Sequence, residues 1–299
     1  MRRVGAHMSI SGGLHLALER ALALGCESVQ LFLKNARSWA PRTPKEGEVE
    51  AFKRLSQGLW PLVAHSTYLI NLASPDDYLY EKSLKAFLEE MKLAELLGVT
   101  YYVLHPGSHM GIGEREGFYR VARALNLALY EVPRVEILLE TASGGKHTLG
   151  SKFEHLAAIL EMIEEEDRLG VCLDTCHLWA SGYDIHTPRG YERTFEELEA
   201  LIGFEKVKLI HANDSKTPLG KGADRHEHIG LGHIGLDGFR LLLGDERLKG
   251  LPLIIETPKG RTPEGEDWDM VNISTLRRLE MEDEGQGHLW RLDPLRGFL

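Results

Sequence analysis

Short apolar runs alternate with segments of helical periodicity along the chain. Eight of these runs predict buried strands, at Val4–His7, Val29–Phe32, Leu62–His65, Tyr101–His105, Glu136–Glu140, Gly170–Asp174, Val207–His211 and Pro252–Glu256. Apolar residues recur every three or four positions in the intervening segments, which predicts helices such as Asp76–Leu97, Glu116–Tyr130, Phe153–Arg168 and Thr194–Ile202. Eight strands that alternate with helices are typical of a parallel barrel, so the pattern predicts an α/β fold of the (β/α)8 TIM-barrel class.

No linker or internal repeat interrupts this alternation, and a TIM barrel of this length is commonly one domain. We therefore expect a single domain over residues 1–299. Residues 260–299 are expected to form a C-terminal helix around Val271–Met281 and then an irregular tail that contains Trp290 and Leu299.

The composition agrees with a chain that buries a large core, since 43% of its 299 residues are hydrophobic. No apolar run reaches the roughly 18 residues that a membrane-spanning helix needs. The N-terminal residues enter a strand-like segment directly, with no signal-peptide hydrophobic region, and three cysteines do not suggest a disulfide framework. We expect a cytoplasmic monomer that does not bind membranes.

Six of the predicted strands end in a histidine or a carboxylate, and these residues are His65, His105, Glu140, Asp174, His211 and Glu256. In a TIM barrel the carboxyl ends of the strands meet at one face, so these side chains are expected to converge there. For any one of them alone, a rim histidine or a helix-capping carboxylate is the more frequent interpretation. Six together favour a metal site.

Three further donors lie close to these in sequence or motif: His177 follows Asp174 by three residues, and Asp224 and His226 are two apart. Nine nitrogen and oxygen donors are too many for one zinc ion, which takes about four, so they indicate a cluster of two or three ions. Imidazole mixed with carboxylate suits zinc or manganese. Cys172 and Cys176 flank Asp174, but we interpret them as buried structural thiols.

Five segments resemble the endonuclease IV family, the apurinic/apyrimidinic endonucleases among xylose-isomerase-like TIM barrels. They are AHSTYLIN (64–71), VLHPGSH (103–109), GVCLDTCH (170–177), HANDSK (211–216) and ADRHEHIGLG (223–232). The match runs in order from Gly5 to about Pro258, and the DTCH and DRH motifs together are specific.

The resemblance implies a DNA-repair hydrolase with three Zn2+ ions, for which Mn2+ is a possible substitute. Such an enzyme cleaves the phosphodiester 5′ to an abasic site in duplex DNA with a bridging hydroxide, leaves a 3′-OH, and also acts as a 3′-phosphodiesterase on 3′-blocked ends. By motif, one ion is held by His65 and His105, a second by Asp174, His211 and Glu256, and a third by His177, Asp224 and His226. Glu140 is implied to bridge the first two and to be the catalytic carboxylate.

The same resemblance implies which loops contact DNA. Arg37 belongs to a loop that enters the duplex at the lesion, and Tyr68 and Leu69 form a wedge that fills the stack after the abasic nucleotide swings out. Lys216, Lys221 and Arg225 are candidate phosphate contacts. The alternative for each is an ordinary solvated charge, and for Lys221 the two interpretations have equal weight.

The formal net charge of −10 is unusual for a nucleic-acid enzyme. Three divalent ions would add six positive charges, which would change −10 to −4 and allow a positive potential around the pocket. The charge therefore does not exclude DNA.

Two further interpretations stay open. A sugar-phosphate isomerase or epimerase would share the barrel, but such enzymes use fewer metal ligands. A non-catalytic DNA-binding module is also possible, but binding alone needs no three-ion site. The chain departs from the family at 140–145, which is ETASGG where the family has an ENTAG-like segment, and at Ser38, where a longer polar residue is common. These departures concern fine positioning, because the bridging Glu140 is retained.

Overall fold

The computed structural model describes residues 1–286, and its barrel strands agree with the predicted ones to within one residue at each end. The strands are β1 (Val4–Met8), β2 (Ser28–Phe32), β3 (Leu62–His65), β4 (Tyr101–Leu104), β5 (Glu136–Glu140), β6 (Leu169–Asp174), β7 (Val207–His211), β8 (Asp214–Ser215), β9 (His226–Glu227) and β10 (Leu253–Ile255). Eight of them form a closed parallel barrel in the order β1-β10-β7-β6-β5-β4-β3-β2, which confirms the predicted fold class. The short strands β8 and β9 pair as an antiparallel ribbon outside the barrel.

The helices of the described residues surround this barrel and connect its strands. They are α1 (Leu14–Ala23), α2 (Glu48–Leu55), α3 (Asp77–Leu97), α4 (Glu114–Glu131), α5 (Phe153–Leu160), α6 (Thr175–Ser181), α7 (Pro188–Leu201), α8 (Gly235–Gly244) and α9 (Trp268–Gln286). Among them, none is long and apolar enough to cross a membrane.

Two predicted helix boundaries are wrong. Helix α5 ends at Leu160 and not at Arg168, because the side chain of Asn126 donates to the Met162 carbonyl (3.1 Å) and accepts from Glu164 N (3.1 Å). Those contacts with α4 draw the backbone out of the helix. Helix α7 begins at Pro188, six residues before the predicted Thr194, because Thr187 caps it by accepting from Gly190 N.

Side chains alternate between the two faces of each strand, so residues two apart face the same side. The barrel interior contains a separate buried cluster of Val63, Tyr101, Val103, Leu138, Cys172, Leu209 and Ile254. Six of these residues lie two positions before a predicted metal ligand at the same strand end: Val63 before His65, Val103 before His105, and likewise around the barrel. An apolar layer therefore lies directly beneath the candidate site.

Helix α9 contains the predicted Val271–Met281 helix and packs Ile273, Leu276 and Leu279 into the core. The backbone N–H of Arg2 donates to Glu280 on this helix at 2.7 Å, which ties α9 to the start of β1. The expected tail with Trp290 and Leu299 lies outside the described residues, and the single domain over residues 1–299 stays a prediction.

Glu48 fixes the start of α1 through a buried carboxylate. It accepts from Leu14 N (2.6 Å), from Lys45 N (2.9 Å) and from the Arg42 guanidinium (2.6 Å). Burial opposes ionisation of this carboxyl, but the hydrogen bonds outweigh burial and lower its pKa.

We predict that Glu48→Gln lowers the free energy of unfolding at pH 7 by about 1–3 kcal/mol, since charge-assisted bonds to buried donors weaken. Because the folded pKa lies below its ordinary 4.5, the ionised carboxylate stabilises fully above pH 4.5 and loses its effect as the pH falls further. Urea unfolding at several pH values checks this. The gap to wild type should narrow below pH 4.5, while the exposed neighbour Glu50→Gln should show no gap; a constant gap would rule out the ionic contribution.

Candidate metal centre

A fully buried carboxylate, Glu140 at the end of β5, lies at the centre of the site. Its Oε2 atom is 2.9 Å from His65 Nε2 and 3.3 Å from His105 Nε2. Its Oε1 atom is 2.9 Å from His211 Nδ1 and 3.4 Å from His177 Nδ1. One carboxylate thus joins imidazoles from four different strand ends.

The candidate site contains five histidine rings: His65, His105, His177, His211 and His226. In all of them except His105, one ring nitrogen donates a hydrogen bond to an acceptor that is not a predicted ligand atom. His65 Nδ1 donates to the Ser66 carbonyl at 2.9 Å, and His177 Nδ1 donates to the Thr141 carbonyl at 2.8 Å. His226 Nδ1 donates to the Glu256 carbonyl at 3.1 Å. A carbonyl oxygen only accepts, so each of these ring nitrogens carries the proton, and the other nitrogen of a neutral ring turns a lone pair toward the site.

The orientation of the His211 ring is set in the same way, by a hydrogen bond to Gln30, a buried residue of β2. Gln30 Nε2 donates to Glu256, so its Oε1 atom faces His211 Nε2, 2.7 Å away, and accepts from it. His211 Nδ1 is then left facing the Glu140 carboxylate. A lone pair that faces a carboxylate at hydrogen-bond distance needs positive charge between or beside the two groups, either a second proton or a metal ion.

Two inward nitrogens have no hydrogen bond at all among the described residues. His177 Nε2 and His226 Nε2 are buried and unpartnered, although they lie 3.4 Å and 3.1 Å from oxygens of Asp224. Buried polar atoms without partners are rare in native proteins and call for an unseen ligand. A divalent ion among these three residues would satisfy both imidazoles and the carboxylate.

The electrostatics of the site favour a cation. Burial opposes protonation of His226, but the carboxylates of Asp174 and Asp224 outweigh it and raise its pKa to about 9. The same competition raises the pKa of His177 well above its ordinary value, whereas the buried Glu140 has its pKa lowered well below the ordinary value by His105 and His211. Ionised carboxylates among imidazoles create the negative potential that a divalent ion neutralises.

The donor atoms form overlapping sets with the spacing that a metal ion needs: His65 with His105 and Glu140; Glu140 with Asp174, His211 and Glu256; Asp174 with His177 and His226; and Cys176 with Asp224 and His226. The first two sets coincide with the first two predicted ligand groups. The third predicted group is divided between the last two sets. His177 and His226 lie with Asp174 in one set, and Asp224 lies with His226 in the other.

Cys176 was not predicted as a ligand, and its sulfur lies at ligand spacing from Asp224 and His226. Burial raises the pKa of its thiol to about 12, and Asp174 adds to this effect. Cys172 is fully buried and its pKa is also raised to about 12 by burial. Neither thiol is a thiolate near neutral pH, which agrees with their interpretation as structural cysteines.

The loop that carries Asp224 and His226 is fixed by Asp214, a buried carboxylate that the sequence analysis did not single out. Its Oδ2 atom accepts from Gly230 N (2.9 Å) and Gly232 N (3.1 Å), and its Oδ1 atom accepts from Ile234 N (2.9 Å). Asp214 also begins β8, which pairs with the His226 strand. These hydrogen bonds join residues 230–234 of the loop to the segment that follows β7.

Other contributors missed by the sequence analysis are Gln30, Asn213 and Lys259. Asn213 donates to Asp174 at 2.7 Å and accepts from Glu256 N at 2.7 Å. Lys259 lines the pocket and pairs with Asp269 at 2.7 Å. Gln30 could have been noticed, since it is a polar residue in the middle of the apolar run SVQLF (28–32).

The predicted DNA-contacting residues lie at or near the rim of the pocket. Tyr68 lines the pocket with 66% of its surface exposed, and its ring packs edge-on against Phe32 at 5.2 Å between centroids. Leu69 is half-buried and does not line the pocket. The charged residues Arg37, Lys216, Lys221 and Arg225 are exposed and also lie outside the pocket lining.

Comparisons with known proteins identify a family, similar sequences and similar structures. A model of the xylose isomerase-like TIM barrel family matches residues 18–278. A protein of Chloroflexus aurantiacus named probable endonuclease 4 is 48% identical over 283 residues, which are 93% of this chain and 98% of that protein. The crystal structure of endonuclease IV from Thermus thermophilus is similar with a TM-score of 0.81 at 38% identity, covering 94% of this chain and 99% of that one.

A more distant likeness concerns the fold alone. The crystal structure of a D-tagatose 3-epimerase-like protein has a TM-score of 0.71 at 19% identity and covers 95% of this chain and 99% of that one. At this identity the barrel is shared, and the likeness carries no argument for a sugar epimerase.

We predict that Gln30→Leu weakens binding of zinc about 10- to 100-fold, because His211 loses the acceptor that holds its ring in place. Competition with a coloured chelator measures the affinity, and circular dichroism checks the fold. The exposed Gln57→Leu is the matched control and should bind zinc like wild type. A folded Gln30→Leu protein with wild-type affinity would show that Gln30 does not support the metal centre.

Proposed function

Because the chain belongs to the endonuclease IV family of xylose isomerase-like TIM barrels, we propose that it is a DNA-repair hydrolase that cuts duplex DNA on the 5′ side of abasic sites. The observation that carries this proposal is that nine metal-capable side chains form overlapping sets, and that seven of them line one pocket together with the exposed Tyr68. We extend the proposal to removal of 3′-blocking groups, since the same phosphodiester chemistry is required.

The proposed cofactor is three Zn2+ ions. His65 and His105 with Glu140 would hold one ion, and Glu140 with Asp174, His211 and Glu256 would hold a second. His177, Asp224 and His226 would hold the third. When bound, the ions would lower the pKa of the attacking water and stabilise negative charge on the phosphate oxygens.

The side chains of this chain supply the positioning. The ring orientations of His65, His177, His211 and His226 are set by hydrogen bonds to Ser66, Thr141, Gln30 and Glu256. Donors held in this way need no rearrangement when the substrate arrives. No protein nucleophile is required, which agrees with the protonated state of the two buried thiols beside Asp174.

Residues at the rim of the pocket would select damaged DNA. An abasic nucleotide has lost its base-pairing and stacking, so it is easily swung out of the duplex. Tyr68 is exposed beside the metal-capable residues, and Leu69 follows it in the same loop. We propose that both enter the space left in the stack, with Arg37 beside them and Lys216 and Arg225 on phosphates.

The test of the function is incision of a duplex that carries one abasic analogue. Purified, metal-saturated protein should nick the damaged strand on the 5′ side of the lesion and should leave the undamaged duplex intact. Elemental analysis of the same preparation should give three metal ions per chain. One ion per chain, or no nicking by fully loaded protein, would refute the proposal.

We predict that Glu140→Ala lowers the incision rate more than about 100-fold and reduces the metal content, because two donor sets share this carboxylate. The matched control is Glu136→Ala, at the opposite end of the same strand. It should keep both the metal and the activity. Wild-type turnover and metal content in Glu140→Ala would contradict the shared-ligand role.

We predict that Tyr68→Ala combined with Leu69→Ala lowers kcat/KM on abasic duplex about 5- to 150-fold, which corresponds to about 1–3 kcal/mol of lost stacking. Metal content should not change, and a single-stranded abasic substrate should be affected less. Leu96→Ala combined with Tyr130→Ala removes two exposed side chains far from the pocket and is the control. Equal duplex rates together with earlier melting of the Tyr68 variant would show that the pair only packs beneath the loop.

A further inference from the structure

Two loops at the rim of the pocket are anchored on one buried carboxylate, Glu90 of α3. Its side chain is 3% exposed, and it faces the underside of the segments that follow β2 and β3. Lys34 Nζ, just after β2, lies 3.2 Å from Glu90 Oε1. Thr67, just after β3, donates its hydroxyl to the same oxygen at 2.8 Å and its backbone N–H to Oε2 at 3.3 Å.

Tyr102 of β4 completes this group, which we call the Glu90 cluster (Lys34, Thr67, Glu90 and Tyr102). Its hydroxyl donates to Glu90 Oε2 at 2.8 Å. Burial, with the adjacent carboxylate, raises the pKa of Tyr102 well above its ordinary value, so this hydroxyl keeps its proton and remains a donor. The carboxylate therefore has partners on three consecutive strands or the segments that follow them.

The cluster lies directly below the proposed wedge. Thr67 precedes Tyr68 in the chain, and Lys34 is three residues before Arg37. The two loops also contact each other, because Tyr68 N donates to the Ala36 carbonyl at 3.2 Å. The side chains of Tyr68 and Arg37 are exposed. Each loop is therefore held to the protein at its base, where Glu90 contacts Thr67 and Lys34.

Stability alone does not account for a buried Lys–Glu pair at this place. Removing two charges from water costs more than their attraction commonly returns, and a well-packed apolar pair is often at least as stable. Such a pair instead fixes the positions of the segments that carry it, because a buried ammonium group and a buried carboxylate are stable only when they are in contact. Lys34, three residues before Arg37, is 4% exposed, and its ammonium group is directed toward Glu90 and not toward solvent.

We infer that Glu90 is a positioning residue for lesion recognition, which holds the Arg37 loop and the Tyr68–Leu69 loop in one arrangement before DNA binds. The inference rests on the proposed function. Loops that are ordered in advance lose less conformational freedom on binding, so weakening the cluster should reduce recognition of the lesion and leave the metal centre intact.

The test compares two substrates with zinc-saturated protein. One is duplex DNA with an abasic analogue, which needs both the wedge and the metal centre. The other is bis(4-nitrophenyl) phosphate, a small diester that needs only the metal centre. Glu90→Gln should lower kcat/KM on the duplex about 10-fold or more, mainly through KM, and should hydrolyse the small diester at the wild-type rate.

A double-mutant cycle between Glu90 and the wedge residues Tyr68 and Leu69 distinguishes a positioning role from a general loss of stability. In protein that already carries Tyr68→Ala and Leu69→Ala, adding Glu90→Gln should cause a smaller loss on the duplex than it causes alone, because one of the two loops that Glu90 holds no longer has its wedge side chains. The control Glu280→Gln weakens the buried Arg2–Glu280 pair at the other face. It should lower the melting temperature without changing the ratio of the two activities.

The inference is overturned if Glu90→Gln slows both substrates equally, leaves the duplex rate unchanged, or adds its full loss in the wedge background. Should Glu90→Gln fail to fold, Thr67→Val serves in its place, since it removes one hydroxyl donor at nearly constant volume. Failure of wild-type protein to cut the abasic duplex while it hydrolyses the small diester would refute the proposed function instead, so the two failures are distinguishable.

Discussion

The buried carboxylate of Glu140 is the interaction on which the remainder of the site depends. A charge at a fully buried position is costly unless other groups compensate it. Here imidazoles at four strand ends surround the carboxylate, and three of those rings have one nitrogen committed to an acceptor outside the site, so that the second nitrogen faces inward. The arrangement is balanced only when additional positive charge is present. A divalent metal would supply that charge, and a mixture of imidazole and carboxylate donors fits such an ion.

The barrel makes this convergence possible through a simple geometric rule. Strand residues two apart face the same side, so an apolar residue inside the barrel is followed, two positions later, by a predicted metal ligand at the end of the strand. Val63 and His65 illustrate the rule in β3, and Leu138 and Glu140 illustrate it in β5. The apolar layer lies beneath the site, and the pocket above it is lined by side chains of the strand ends and of the loops that follow them. The metal-capable side chains and the exposed Tyr68 therefore lie on one face of the barrel.

The sequence predicted the strands well because each is an apolar run that ends at a polar side chain, as at His65 and Glu140. It did not predict where α5 ends, because the contact from Asn126 in another helix decides that boundary. Gln30 and Glu90 were missed for a related reason. Their importance depends on which side chains they meet in space, and those partners are distant in the chain. A buried polar residue inside an apolar segment is the signal that could have revealed them.

The most direct measurement of the central claim is X-ray absorption at the zinc edge of metal-saturated protein. If imidazoles and carboxylates hold the ions as described, the spectrum should contain only nitrogen and oxygen neighbours, at about 2.0–2.2 Å. Sulfur neighbours at about 2.3 Å would show that Cys176 binds the metal and would contradict the account.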